Sequence, residues 1–404
     1  MNSKIVMKFG GTSLGSSKKI QQAAFKIKNK LKKNSRIIVV VSAMSGVTNK
    51  LIKKTEIFSS CKFNYEYDSI LSTGEQISAG LLTLCLLEIG ISARSLMGWQ
   101  IPITTDQNSG NAKISSIDAK QLFKFLKKYS VLVICGFQGV DKNNRITTLG
   151  RGGSDTTAVA IAASVKAKLC EIYTDVDGIF TADPRFVKQA KKLSKISYEE
   201  TLEMASLGSK VLHPRSVELA MKYGIKLHVR NAFNNNNGTF LVKEDKEMEK
   251  ELVSGISSTE TESKITLLGI PDTPGVASKI FSPLTDSNIN VDMIVQNITE
   301  DGKYTNLTFT VNHNEASKAV KALNKSKLKF KDIDVDKNIC KLSIIGVGMK
   351  NNVGVAKKMF ETLAKNKINI KVISTSEIKI SVLISLEKKK LALNALHKAY
   401  NLGN

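Results

Sequence analysis

Two five-residue runs without a polar interruption, Ile37–Val41 and Val131–Cys135, constrain this chain most. A strand that is apolar at every position offers no face to water. Each run therefore belongs inside a parallel sheet covered on both faces. Each also leads into a turn of small and polar residues, Ser42 to Asn49 after the first and Gly136-Phe137-Gln138-Gly139 after the second. Residues 4–9, KIVMKF, read as a first strand ending on Gly10-Gly11-Thr12-Ser13. Ser16 or Ser17 is placed to cap a helix reaching about Lys33. Residues 71–87 read as a capped helix with Glu75 in its first turn. The strand–helix alternation persists to about residue 245 and predicts an α/β domain with a mostly parallel sheet. Ligands of such sheets bind at the carboxyl ends of the strands.

The densest strand end lies between Thr147 and Arg185, TTLGRGGSDTTAVAIAASVKAKLCEIYTDVDGIFTADPR. A glycine turn, Gly150 to Asp155, opens an apolar helix. A strand, Leu169 to Tyr173, follows, and an acidic turn-rich segment, Thr174 to Pro184, closes it. Glycines let backbone approach a ligand closely, and a helix start gathers unpaired N–H groups that favour anions. An acidic loop after a strand suits a metal ion. Together they predict a site for phosphate and carboxylate groups.

Residue by residue, the alternatives stay open. Lys8 ends a strand beside two glycines, where a lysine is either solvated or a phosphate contact; no GxxxxGK[ST] or GxGxxG pattern occurs. Arg151 beside Gly152, Gly153 and Ser154 has the planar fork that grips a carboxylate. Asp155 reads equally as an N-cap. Glu75 is a partner for an ammonium group or a capping-box carboxylate for Ser72. Asp175, Asp177 and Asp183 suit turns, and no glutamate follows at the distance an EF-hand needs. Lys210 reads as a helix lysine, and His213 before Pro214 as a packed residue in extended backbone.

Residues 243–262, KEDKEMEKELVSGISSTETE, mark a boundary. Beyond it the chain repeats. Residues 264–295 and 341–373 are each strand, glycine turn, helix, strand, with Gly269 matching Gly346, Gly275-Val276 matching Gly354-Val355, Phe281 matching Phe360 and Ile289-Asn290 matching Ile368-Asn369. A further strand and helix follow each copy, which predicts two ferredoxin-like βαββαβ units.

The formal net charge is +24, and 60 residues are basic, but only seven are arginine. Spread lysines with few aromatics among them argue for a lysine-rich composition rather than a specific nucleic-acid site. Where arginine persists in such a chain its fork is needed, and Arg151, Arg185 and Arg215 fall in or beside the motifs. The five cysteines lack CxxC spacing and read as reduced thiols of a cytoplasmic protein. The longest apolar runs are strand-sized, so no membrane partner is expected.

In order along the chain, KFGGTSLGS (8–16), VVVSAMSGVTNKL (39–51), STGEQISAGLL (72–82), TTLGRGGSDTTA (147–158), YTDVDGIFTADPR (173–185) and GSKVLHPRSVELA (208–220) resemble the aspartate kinases, and the repeat resembles that family's paired ACT domains. The resemblance implies a catalytic amino-acid kinase domain over 1–245, a linker over 246–262, and ACT domains over 263–337 and 338–404. It implies phosphorylation of L-aspartate by ATP with Mg²⁺ bound mainly through the phosphates, for which no ligand residue is assigned. It places Lys8, Lys210 and Asp155 in catalysis. For ATP it implies Lys8, Phe9, Gly10, Gly11, Ser42, Thr174, Asp175, Phe180, Thr181, Ala182, Asp183, Pro184, Arg185 and Lys210. For aspartate it implies Thr48, Glu75, Arg151, Gly152, Gly153 and Ser154. The ACT pair implies homo-oligomer contacts and feedback by lysine and/or threonine, at Asp272, Thr273, Pro274, Gly275, Asp292, Gln296 and Asn297 of the first copy and Ser374, Thr375 and Glu377 of the second. The D-x-P-G turn at Asp272 has no counterpart at Asn351 to Gly354, which sets the copies apart in effector binding.

Overall fold

The computed structural model describes residues 5–32, 36–58, 64–206, 211–244, 251–299, 302–326 and 328–403. It divides into two units, Met1–Phe180 with Lys192–Asp245, and Thr181–Lys191 with Lys246–Asn404.

The first unit opens with β1 (Ile5–Phe9), α1 (Ser17–Leu31), β2 (Ile37–Val41), α2 (Val47–Glu56), α3 (Tyr65–Glu88) and β3 (Ala93–Leu96). Next come β4 (Ile103–Thr105), β5 (Ile114–Ile117), α4 (Ala119–Lys128), β6 (Val131–Cys135), β7 (Gln138–Val140) and β8 (Ile146–Thr148). It finishes with α5 (Gly153–Ser164), β9 (Leu169–Thr174), β10 (Lys195–Ser197), α6 (Tyr198–Ser206), α7 (Pro214–Tyr223), β11 (Leu227–Asn231) and β12 (Thr239–Val242). Eight strands form the main sheet in the order β10-β12-β11-β9-β1-β2-β6-β3. Every pairing in it is parallel except β11 with β12. The uniformly apolar runs β2 and β6 pair with each other inside it, between β1 and the edge strand β3, and both are buried at every position. A second sheet, β5-β4-β7-β8, was not legible in the sequence because its strands are only three or four residues long.

Helix α3 differs from expectation. It begins at Tyr65, capped by Asn64, whose side chain accepts from Tyr67 N at 2.8 Å, so Glu75 lies in its third turn. Ser72 donates back to Ser69 O and caps nothing, which removes the capping-box reading of Glu75. By length and hydropathy α3 would pass as a membrane span, but half of its apolar window is buried within the unit, together with Asp68 and Glu75. At the other ends, Ser16 caps α1 as expected and α1 stops at Leu31.

The second unit contains β13 (Gly255–Thr259), β14 (Glu262–Pro271), α8 (Val276–Asp286), β15 (Val291–Ile298), β16 (Tyr304–Asn312), α9 (Ala316–Lys325), β17 (Asp332–Asp336), β18 (Ile339–Ile345), α10 (Val355–Lys365), β19 (Val372–Thr375), β20 (Lys379–Ser385) and α11 (Lys389–Ala399). The first repeat is a complete βαββαβ unit with sheet order β15-β16-β14-β17. Among the described residues, the second has no fourth strand of its own. Its sheet, β13-β18-β20-β19, takes β13 from the stretch read as a linker, paired antiparallel to β18. Thr259 to Thr261, a charged and polar passage, thus separates strands of two different sheets, and polarity alone could not show that the apolar Ile256 before it is buried.

Candidate active site

The site is built where β1, β2, β6 and β9 end and α5 begins. Lys8, the next-to-last residue of β1, is only 8% exposed, and its Nζ meets Asp155 Oδ1 at 2.5 Å. Taken alone, a solvated Lys8 was the simpler reading; the ion pair excludes it. Asp155 lies in the first turn of α5 but does not cap it, because the N-cap is Gly152 at φ +67°. A buried cation is thereby held by one carboxylate beside a helix start whose residues Gly153 to Ala162 are all buried.

The Gly10-Gly11 turn follows directly. Gly10 N donates to Tyr173 O at 3.1 Å, and Phe9 stacks on Tyr173 with ring centroids 4.8 Å apart. A Cβ on Gly11 would lie 2.6 Å from Ala43 O, so only glycine lets this turn touch the turn after β2. Ser42 N donates to Phe9 O and Ser45 N to Gly11 O, which lock the two turns together. Thr48 stands in the first turn of α2, half-buried.

Glu75 reaches the same turn from α3. Its Oε1 accepts from Ala43 N at 2.9 Å, while Oε2 is buried without a partner. The side chain is 3% exposed. Burial pushes its carboxyl up to about 8, against the downward pull of the Ala43 N–H. The site thus holds a carboxyl that stays largely protonated at neutral pH, with one oxygen unpartnered.

The glycine loop before α5 is tightly fixed. Gly150 and Gly152 have φ +72° and +67°. A Cβ on Gly152 would fall 2.2 Å from His213 Cβ, and one on Gly136, after β6, would fall 2.7 Å from Ser154 Cβ. His213 is thus a packing partner of the loop, and burial lowers its imidazole from the ordinary range. Arg151 is exposed. The structure therefore brings Lys8, Phe9, Gly10, Gly11, Ser42, Thr48, Glu75, Gly152, Gly153, Ser154 and Asp155 to the ends of adjacent strands, with Arg151 on the loop between them. Lys210 lies outside the described residues.

Of the nucleotide candidates, Thr174 and Asp175 follow β9 with Thr174 Oγ1 3.2 Å from Asp175 Oδ1. Asp177 is a clamp rather than a metal ligand: it accepts from Asn231 Nδ2 at 2.7 Å and Asn234 Nδ2 at 2.8 Å. Phe180 forms a bridge with Lys192. Thr181, Ala182, Asp183, Pro184 and Arg185 fall in the second unit. There Thr181 O accepts from Ile256 N at 2.7 Å, and its hydroxyl is 3.0 Å from His397 Nε2. Ala182 packs into the apolar core with Leu342 and Leu396, while Arg185 pairs with Asp183 at 2.6 Å.

In the same unit, Asp272 to Gly275 form the turn before α8, with Gly275 at φ +84°. Asp292, Gln296 and Asn297 lie on β15, and Ser374 and Thr375 on β19, with Glu377 beyond it. Met293 of β15 packs with Val372 of β19, Ile339 and Leu383. The Asp292 carboxylate is held by Lys341, which also donates to Glu262 Oε1 at 2.7 Å. Lys341 is only 2% exposed. Burial would lower its ammonium, but the two carboxylates win and raise it.

Sequence reasoning missed two organising charges. Asp68 is fully buried and accepts from Ser109, Gly110 and twice from Thr148. Glu171, which accepts from the Tyr173 hydroxyl at 3.0 Å, is buried too, yet His228 and Lys30 hold it down to about 2. Nothing in their spacing announced either, since their partners come from distant segments.

A protein-family model described as the amino acid kinase family matches residues 3–231, and ACT domain models match residues 264–327 and 342–400. Over 401 residues the chain is 50% identical to an aspartate kinase of Pseudomonas putida, covering 98% of this chain and 97% of that one. The chain belongs to the aspartate kinase family. An aspartokinase of Helicobacter pylori strain J99 is 47% identical over 402 residues, 98% of this chain and 99% of that one. The fold matches E. coli aspartokinase III, solved in complex with aspartate and ADP, at a TM-score of 0.81 and 24% identity, covering 98% and 99% of the two chains. The aspartate kinase of Synechocystis matches at 40% identity and a TM-score of 0.55, over 98% of this chain and 69% of that one. Membership supports aspartate phosphorylation with nucleotide use, under allosteric control by the ACT domains.

Proposed function

We propose that the chain transfers the terminal phosphoryl group of ATP to the side-chain carboxylate of L-aspartate, giving 4-phospho-L-aspartate and ADP. This is the entry step toward lysine, threonine, methionine and diaminopimelate. One arrangement carries the reading: a buried lysine at a strand end, an exposed arginine on a glycine loop, and a buried carboxylate with one oxygen unused. The substrate carboxylate, with a pKa of about 4, is already ionised at neutral pH, so no general base is required. What the site must supply is positioning and neutralisation of negative charge.

Lys8 and Lys210 stabilise the phosphates, and Gly10, Gly11 and the start of α5 offer backbone N–H groups. Asp155 holds Lys8 aimed inward until phosphate competes for it. Ser42 lies beside the transferring group. Thr174, Asp175 and Phe180 to Arg185 bind nucleotide. Arg151 takes a substrate carboxylate with Thr48, Gly152, Gly153 and Ser154 around it, and Glu75 takes the ammonium, releasing its proton on binding. Mg²⁺, when bound with the nucleotide, would supply charge neutralisation at the phosphates; no group of three or more His, Cys, Asp or Glu among the described residues would cage it.

Feedback by lysine and/or threonine acts through the ACT unit, at Asp272 to Gly275, Asp292, Gln296, Asn297, Ser374, Thr375 and Glu377, and ACT pairing makes the homo-oligomer. E. coli aspartokinase III has been solved with lysine and aspartate, which makes lysine the first effector to test. The test is trapping of the acyl phosphate with hydroxylamine, with and without lysine and threonine. Aspartate hydroxamate that neither amino acid suppresses, singly or together, refutes the regulatory half. No hydroxamate at all refutes the catalytic half.

A further inference from the structure

Arg215 differs from the arginines of the chain that pair with carboxylates or stack on rings. Arg145 and Arg185 pair with carboxylates, Arg230 lies beside Glu171, and Arg94 stacks on rings. Arg215, from the first turn of α7, spends its fork on uncharged oxygens. Nη1 donates to Leu149 O at 2.6 Å and to Asn111 Oδ1 at 3.1 Å, and Nη2 donates to Ala112 O at 2.9 Å. Those acceptors belong to two strands of backbone that must stay side by side. One is the segment 109–112, and the other is the base of the glycine loop that presents Arg151, two residues after Leu149.

The same two segments are also joined by Asp68, which accepts from Ser109 Oγ, Gly110 N, Thr148 N and Thr148 Oγ1 at 2.7 to 3.0 Å. Ala112 N donates to Thr148 O at 2.9 Å. A carboxylate and a guanidinium thus both tie the loop base to the same segment. The contact is close, since a Cβ on Gly150 would lie 3.0 Å from Gly110 O and 3.1 Å from Asn111 Oδ1. His213, two residues before Arg215, packs against Gly152 and fixes the far side of the loop.

We propose that Arg215 is a positioning residue for aspartate recognition, holding the loop base at the height from which Arg151 meets the substrate carboxylate. It touches no reacting atom, and its bonds end on the loop, so its loss falls on aspartate binding rather than on the chemical step. A lysine cannot replace it, because one ammonium on a flexible stem does not span three acceptors in a plane. The inference rests on the aspartate-binding reading of Arg151.

The experiment is steady-state kinetics of the full chain, wild type, Arg215→Ala, Arg215→Lys and Asn111→Ala, varying each substrate with the other saturating. Arg215→Ala is expected to raise the aspartate KM about tenfold or more, with ATP KM and kcat within about threefold, and Arg215→Lys to recover only part of the loss. A parallel rise in both KM values, or an unchanged aspartate KM, overturns the proposal. If Arg215→Ala does not fold, Asn111→Ala decides. It removes one exposed acceptor, and a rise in aspartate KM alone supports the clamp while no change overturns it. Wild type without aspartate-dependent ADP release fails the reading of the reaction itself, a result separate from any behaviour of Arg215.

Discussion

Replacing Glu75 by glutamine separates what the fold tolerates from what the site needs. Glu75 is 3% exposed, and its carboxyl sits at about 8 against an ordinary 4.5. Its folded pKa is raised, so the unfolded chain gives up this proton first. Stability is therefore lost as pH climbs from about 4.5 to about 8 and is flat outside that window. The whole gap corresponds to about 5 kcal/mol, of which about 3 kcal/mol is felt at pH 7 and under about 1 at pH 5. Glutamine copies the protonated shape without the titration. Glu75→Gln is expected to stabilise the kinase-unit transition in urea by about 3 kcal/mol at pH 7 and by under about 1 kcal/mol at pH 5. The same variant is expected to bind aspartate poorly, because no ionised partner remains for the ammonium. In the wild type, aspartate KM should fall as pH rises toward 8, since binding needs the ionised acid, and that dependence should vanish in the variant. Equal stability changes at both pH values, or an unchanged aspartate KM, would refute the reasoning.

Other consequences can be measured with the same assays. Lys8→Ala should lower kcat by more than about a hundredfold and also cost about 3 kcal/mol in urea, because Asp155 is left buried and unpaired; Lys8→Ala with Asp155→Ala should regain the stability and not the rate. Gly152→Ala combines a left-handed φ with a clash against His213, so it should raise aspartate KM more than ATP KM, and His213→Ala should relieve only the clash. Arg151→Lys should raise aspartate KM by at least about tenfold with ATP KM nearly unchanged, consistent with loss of a two-point grip. Lys341→Met removes the cation that ties Asp292 and Glu262 together, so inhibition by lysine or threonine should weaken while kcat without effector stays as in the wild type; an unaltered inhibition curve would place effector sensing elsewhere.

The parallel sheet and the repeat were legible because uniformly apolar runs and a recurring glycine-to-glycine spacing are local signals. The site's glycines were legible for the same reason, since Gly150 and Gly152 answer to their own left-handed backbone. What the sequence hid are pairings set by the fold. Lys8 and Asp155 are far apart in the chain and meet only because β1 ends beside the start of α5. Asp68 has no motif, and the motif that holds Arg215 does not show what it binds, because the partners both residues hold come from segments the topology delivers. Glu75 was misplaced within its helix because the true cap, Asn64, lies well before the apolar run. Strand β13 was hidden because its sheet is completed across a whole intervening repeat.

The central claim is the identity of the phosphoryl acceptor. ADP release should be measured with ATP and, in parallel, aspartate, glutamate, N-acetylglutamate or a nucleoside monophosphate. The account predicts release that depends on aspartate and is abolished by Lys8→Ala. Release supported by another acceptor, with aspartate inert, would contradict it.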